Sequence, residues 1–353
     1  FSANEKMEYP AAITSVTTIL RVTLGTMVLL LGYGFVGLAA TSLLVNLATV
    51  VILGSLVTRM FFRPKLELDL AFGRTMMHAS FPLMLNSLLA KVFFQVDVLL
   101  LKPLRGDVEV GYYGTAYQYI RGLDIIPSYF TLAIFPLMSR LAESQRDSLA
   151  RAYVLSVKLL VMVALPIAVG TTFIARELIL LLAGADYLPH SMIALQVLIW
   201  YMPIGFVNSV TQYALIAINQ QRFLTRAYLI GAGFNVLSNL IFIPRYGYAA
   251  AAVVTVLSEI ALLIPFYYRV RKHLTALPWL EVYWRPCAAA AVMGGTMWLL
   301  RGTTVLLKAP VGAIVYLAVL AALGTFREPD VALVMELLPE RWRKRIPFVM
   351  PGS

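Results

Sequence analysis

The stretch LAKVFFQVDVLLLKPLRGDVEVGYYGTAYQYIRGLD, residues 89–124, decides how the rest of the chain is read. Most of it has the apolar density of a membrane helix, yet Lys91, Asp97, Arg121 and Asp124 interrupt it. A charged side chain at the bilayer centre costs about 2.5–3.5 kcal/mol even on the mildest scales. Such groups usually face a bundle interior or a water-filled path. The stretch therefore points to a polar cavity inside a helical membrane protein.

The whole composition agrees. Of 353 residues, 60% are hydrophobic and 13% are charged, with a mean hydropathy of +0.80. Soluble domains do not carry that much apolar surface. The apolar residues fall in long runs with short polar breaks, the pattern of successive spans of about 20 residues. The reading is an all-α polytopic membrane protein with about ten transmembrane helices. They cover roughly 10–32, 35–57, 80–101, 110–137, 151–174, 191–218, 223–243, 248–268, 284–300 and 309–325.

In a soluble protein a net charge of +11 would suggest nucleic acid. Here the cations sort by side instead. With the N-terminus in the cytoplasm, 19 of the 29 Lys and Arg fall in cytoplasmic segments. The opposite side holds Lys102, Arg105, Arg176, Arg245, Arg301 and Lys308, and Arg21, Lys91, Arg121 and Lys158 lie within spans. Basic loops stay inside, so this bias supports the span assignment and its orientation, and no nucleic-acid partner is needed. Membrane lipids are the implied surroundings. The single cysteine, Cys287, rules out a disulfide within the chain. His78, His190 and His273 show no ligand spacing. No metal or cofactor is indicated.

An internal echo organises the spans. The second opens YGFVGLAATSLLVN (33–46) and the eighth opens YGYAAAAVVTVLSE (246–259). An even number of spans separates them, so the copies run in the same direction, as in transporters built from two like halves. Four partners of spans three to six would then precede Phe1, and the chain reads as lacking its first four transmembrane helices. On this basis residues 1–57 are the last two helices of an N-terminal lobe and 58–79 are a cytoplasmic amphipathic linker. Residues 80–273 are a C-terminal six-helix lobe, 274–326 two additional helices, and 327–353 a cytoplasmic basic amphipathic tail.

Helical rise puts Lys91 about 16 Å into span three and Arg121 about 16 Å into span four. Ser87, Lys91 and Gln95 share one face, with Asn86 and Asp97 on the neighbouring face. Arg121 and Asp124 are spaced i, i+3 and can pair. Two cations and one anion at one level leave a spare positive charge that would suit a phosphate. The alternative is an internal salt-bridge cluster that holds two helices together. Tyr117 shares the face of Arg121. Arg21, within span one, is a further cavity candidate. Glu259, halfway along span eight, can pair with a cation or carry a proton, and Asp97 is the second ion-coupling candidate. The amides of Asn208, Gln212, Asn235 and Asn239 are expected to join helices. Prolines 82, 127, 136, 166, 203 and 265 each free a carbonyl inside a span.

Three blocks carry a family likeness: VDVLLLKPLRGDVEVGYYGTAYQYIRGLDIIPSYFTLAIFPLMSRL (96–141), LIWYMPIGFVNSVTQYALIAINQQ (198–221) and NVLSNLIFIPRYGYAAAAVVTVLSE (235–259). They resemble bacterial polysaccharide (O-antigen) flippases of the Wzx-like kind, from the polysaccharide transport family of the MOP exporter superfamily. The resemblance implies a two-lobe transporter of 12–14 helices around a central cavity, in the bacterial inner membrane. It implies a substrate, undecaprenyl-pyrophosphate-linked oligosaccharide, moved to the outer leaflet by alternating access for O-antigen, capsule or exopolysaccharide synthesis. Other polysaccharide-assembly proteins are possible partners. It implies no enzyme activity, and that span three, with Asn86, Lys91, Gln95 and Asp97, lines the cavity. Rivals are a drug exporter of the same superfamily, a lipid-II-type flippase and, from another class, a membrane enzyme of polysaccharide assembly. An enzyme would be expected to show a long outer loop or a mid-span histidine, and neither is found.

Overall fold

The computed structural model describes residues 8–60 and 69–325. Among them are eleven α-helices and no strand. Among the described residues seven helical segments are long and apolar enough to cross a membrane. The basic tail, and most of the linker before α3, lie outside the described residues. The chain divides into two compact units, Phe1–Met77 and His78–Ser353.

In the first unit α1 (Glu8–Leu30) and α2 (Gly34–Met60) pack side by side. The turn between them uses two left-handed glycines, Gly32 at φ +84° and Gly34 at φ +55°. Arg21 donates from its guanidinium to Asn46 Oδ1 at 2.7 Å, tying the two helices together. α3 (Leu70–Arg105) begins earlier than the span predicted from Ser80. Asp69 explains the early start. Its Oδ1 accepts from the amides of Ala71 and Phe72 at 2.9 and 3.0 Å, an N-terminal cap that satisfies two otherwise orphaned donors.

The second unit is arranged around α6 (Arg146–Leu182), which packs against α5 (Ile125–Ser144), α7 (His190–Leu198), α8 (Met202–Ala217), α10 (Trp279–Leu299) and α11 (Val305–Ala322). Its sequence is apolar on most sides, as a helix surrounded by others requires. Pro166 lies within α6 and has no N–H to offer the carbonyl of Met162. The Tyr316 hydroxyl of α11 donates to that carbonyl at 2.7 Å. Lys308, also on α11, donates to Phe173 O and Glu177 Oε1, each at 3.0 Å. The terminal pair of helices is thus fastened to α6 at two heights.

Span four, predicted as one helix, is one membrane-crossing segment, Asp107–Ser144, with a local break at Asp124. α4 (Asp107–Leu123) ends at Asp124, and α5 starts directly after it. Pro127 lacks the amide that would bond Leu123, so the helix is interrupted there and Asp124 sits at the junction. Spans seven and eight are the two arms of α9 (Gln221–His273). They meet at Gly247, with φ +57° and ψ −139°, outside the helical region. Asn235 of the first arm donates to Ser258 Oγ of the second at 2.9 Å, so the arms lie against each other. Asn239 donates to Asn235 Oδ1 at 2.8 Å and extends that seam. The two Tyr-Gly-aromatic motifs of the sequence echo therefore both carry a left-handed glycine at the start of an outgoing helix.

Candidate functional site

A cavity of about 320 Å³ opens among α3, α4, α5, α8 and α9 in the second unit. The sequence puts polar residues on its walls at helical spacing. α4 presents Tyr117 and Arg121, one turn apart, and the junction adds Asp124. α8 presents Asn208 and Gln212, again one turn apart. α9 contributes Tyr228 from its first arm and Glu259 from its second, and α3 contributes Gln95. Tyr201, in the short 3₁₀ turn Ile199–Tyr201 before α8, closes one side. Gly205 lies beside it: a Cβ there would come within 3.0 Å of the Tyr201 ring and 3.6 Å of the Glu259 carboxyl. A small residue is what lets both groups reach the cavity.

The walls are cross-braced. The Tyr201 hydroxyl donates to Asp124 Oδ1. Ser128 donates its hydroxyl to the Asp124 carbonyl at 2.7 Å, beside its own backbone amide at 3.3 Å. Asn208 donates through Nδ2 to the carbonyl and Oε2 of Glu259, at 2.9 and 2.7 Å. Tyr228 donates to Gln212 Oε1 at 2.7 Å. Arg121 makes no ion pair with Asp124 among the described residues; its guanidinium lies over the Tyr117 ring, 5.2 Å from the centroid. That placement keeps its charge at the cavity edge, supported by the ring's electron-rich face.

Gln95, Tyr117, Arg121, Asp124 and Glu259 from the sequence reading thus line one cavity. Lys91 is exposed on α3 and does not line it. Among the described residues the cavity walls carry one guanidinium and two carboxyl groups. The side chain of Asn86 lies outside what the structure describes. Arg21 belongs to the first unit, bonded to Asn46. Asp97 is 2% exposed and enclosed. It accepts from the hydroxyls of Tyr113 and, at 3.2 Å, Thr255, and from the Val98 amide at 2.8 Å. It braces α3, α4 and α9. Asp97→Ala is expected to lower thermal stability by about 2 kcal/mol through its orphaned hydroxyl partners, leaving ligand affinity at the cavity unchanged. A melting curve beside a binding titration checks both halves.

Sequence reasoning missed Tyr201, Ser128 and Tyr228. Tyrosines near span ends look like interfacial belts, and nothing local marks Tyr201 as the partner of an aspartate 77 positions earlier. The Asn208 and Gln212 pair was visible as a polar face, and both do join helices as expected. That the same face lines a cavity depended on where α9 lies.

A polar cavity walled by long apolar helices is the arrangement of a multi-pass membrane protein. Residues 1–142 match the family described as polysaccharide biosynthesis protein, and residues 82–241 match MatE. Among solved structures, the lipid II flippase MurJ in an inward closed conformation has a TM-score of 0.77 at 16% identity, covering 90% of this chain and 68% of its own. A MOP superfamily transporter from Pyrococcus furiosus scores 0.50 at 15% identity, covering 73% of this chain and 66% of its own. A MATE protein in its straight conformation scores 0.51 at 15%, with 73% and 67% covered. The chain thus spans about two thirds of the structures it resembles. No curated protein matches it. Each family model matches less than half of the chain, and the chain shares the fold of these transporter structures.

Proposed function

We propose that the protein is a flippase that carries undecaprenyl-pyrophosphate-linked oligosaccharide across the bacterial inner membrane by alternating access, for surface polysaccharide synthesis. The observation that carries this reading is the cavity. Carboxylates, amides, phenols and one guanidinium gather there among membrane helices, where unsatisfied polar groups are costly. A hydrophilic headgroup needs such a path, while a polyprenyl tail can remain in lipid. The match to a polysaccharide biosynthesis family over residues 1–142 and the likeness to a lipid II flippase support the same substrate chemistry. The family matches and the named structural neighbours give no support to an enzyme reading. In this reading residues 80–273 form one lobe, the basic helix ends face the cytoplasm, and Glu259 is the group we assign to ion coupling. It is 3% exposed and still borders the cavity.

A second reading has a specific observation in its favour. Two carboxylates against one guanidinium suit export of an organic cation, and residues 82–241 match MatE. Restoring surface-glycan export in a flippase-deficient strain separates the two. The protein is expected to restore export, and Arg121→Ala and Glu259→Gln to reduce it by about tenfold or more, as loss of a charged hydrogen-bonding group from the cavity wall implies. Drug resistance without glycan export would favour the cation exporter.

A further inference from the structure

We infer that the α4–α5 segment is a knee in the cavity wall, flexing at Asp124–Pro127, and that the Tyr201 hydroxyl is the latch that holds it in. Tyr117 and Arg121 on one limb, Pro127 and Ser128 on the other, and Asp124 between them all line the cavity. Movement of the knee therefore reshapes the cavity, whatever substrate it takes. The weak point has a local cause. Pro127 has no N–H for the Leu123 carbonyl, so one rung of the helical ladder is missing. A missing rung is where a helix changes direction most easily.

The segment is fastened at its ends and loosely held between them. On α4, the Tyr112 carbonyl accepts from Ser191 of α7 at 2.9 Å, and the Tyr113 hydroxyl donates to Asp97 of α3. The Tyr119 hydroxyl lies 3.3 Å from Thr171 Oγ1 of α6. At the other end, the single residue Gln145 joins α5 to α6. From Ile120 to Ser144, among the described residues, the bond from Tyr201 to Asp124 is the one hydrogen bond that reaches another element. The α5 hydroxyls turn back on their own segment: Ser128 to Asp124 O, Thr131 to Pro127 O and Ser144 to Arg140 O. What remains is apolar packing, such as the Phe135 ring against Tyr213 of α8 at 5.4 Å. Such contacts are non-directional and tolerate sliding.

Tyr201 stands on the fixed side. The helix that follows it, α8, is bonded to α9 through Asn208 and Glu259, and to α6 through Thr211 and Tyr153 at 2.9 Å. The Tyr201 ring is 7% exposed and backs onto Gly205, where a Cβ would come within 3.0 Å. The phenol is therefore positioned by the frame, and the aspartate by the moving wall. A ligand that draws Asp124 away from the phenol frees the wall it touches, which links occupancy to shape.

The test is a distance measurement between paired nitroxide labels on the purified protein in detergent, with Cys287→Ser removing the native thiol. Labels at Tyr129→Cys on α5 and Val292→Cys on α10, both exposed, report the knee. Leu237→Cys on α9, also exposed, paired with Val292→Cys reports the frame. Tyr201→Phe keeps the ring and removes the latch. The knee pair is then expected to gain a displaced population about tenfold or more larger than in the parent, the effect of losing a charged hydrogen bond. Asp124→Ala cuts the same bond from the other side and is expected to act alike. Tyr213→Phe removes a hydroxyl that has no partner among the described residues and is expected to leave the distribution as it was. Pro127→Ala added to Tyr201→Phe restores the missing rung and is expected to shrink the displaced population again. An unchanged knee distribution in both latch variants overturns the inference. So does an equal displacement of the frame pair, which would mean general loosening, or a displaced population that Pro127→Ala does not reduce.

Discussion

Gly247→Ala is expected to abolish most of the folded yield and to lower the unfolding temperature sharply in what survives. Its backbone, at φ +57° and ψ −139°, lies where a side chain is strained, at about 1–3 kcal/mol. The space is also taken: a Cβ there would lie 1.9 Å from Glu109 Oε2. Glu109 cannot simply withdraw. It accepts from the Tyr248 amide at 2.8 Å, at the start of the second α9 arm, where a carboxylate is favoured by the helix dipole. Arg105 holds its other oxygen at 2.8 Å. Losing a charged hydrogen bond adds about 1.5–3 kcal/mol. Thermal unfolding in detergent measures the total, expected near 3 kcal/mol or more. Glu109→Ala removes the obstacle together with the cap. Gly247→Ala and Glu109→Ala combined should therefore cost less than the two separate losses added. A strictly additive double variant would show that the crowding is absent.

The second large effect concerns Glu177 and Lys308. The Lys308 side chain is 4% exposed and that of Glu177 is 34% exposed. Glu177→Ala strands a buried ammonium on the Phe173 carbonyl alone. Breaking a fully buried pair costs about 3–5 kcal/mol; water at the glutamate side reduces this to about 2 kcal/mol. Lys308→Met removes the cation along with its desolvation and leaves an apolar chain of similar length. It is expected to be much milder. The order is the test. Melting curves in which Lys308→Met is the more damaging variant would contradict the buried-cation account.

How far the sequence reached depended on the range of the interactions involved. Helices are local, and the apolar runs announced them well. The interruption at Asp124 was also written locally, in Pro127, but a proline inside a span can merely kink it. The cavity is different. Charge and depth brought Arg121, Asp124 and Glu259 to attention, because an intramembrane charge is conspicuous by itself. Lys91 was equally conspicuous, yet it is exposed and is not among the residues that line the cavity. Depth follows from counting residues. Rotation about the helix axis relative to neighbours follows from packing across the whole unit, which no local pattern encodes. Tyr201 makes the same point from the other side, since its importance comes from the aspartate it meets.

The single-residue turn at Gly247 also constrains biosynthesis. Two arms joined by one residue and stitched at Asn235 and Ser258 are favoured as a pair, because the Asn235 amide meets that hydroxyl only when both are across. Insertion of the first arm alone would leave the amide in lipid without the Ser258 hydroxyl. Arg245, exposed beside the turn, would then travel with the pair as its leading charge. The two arms should accordingly behave as one insertion step, and a stop codon placed between them should leave the first arm unable to stay across the membrane.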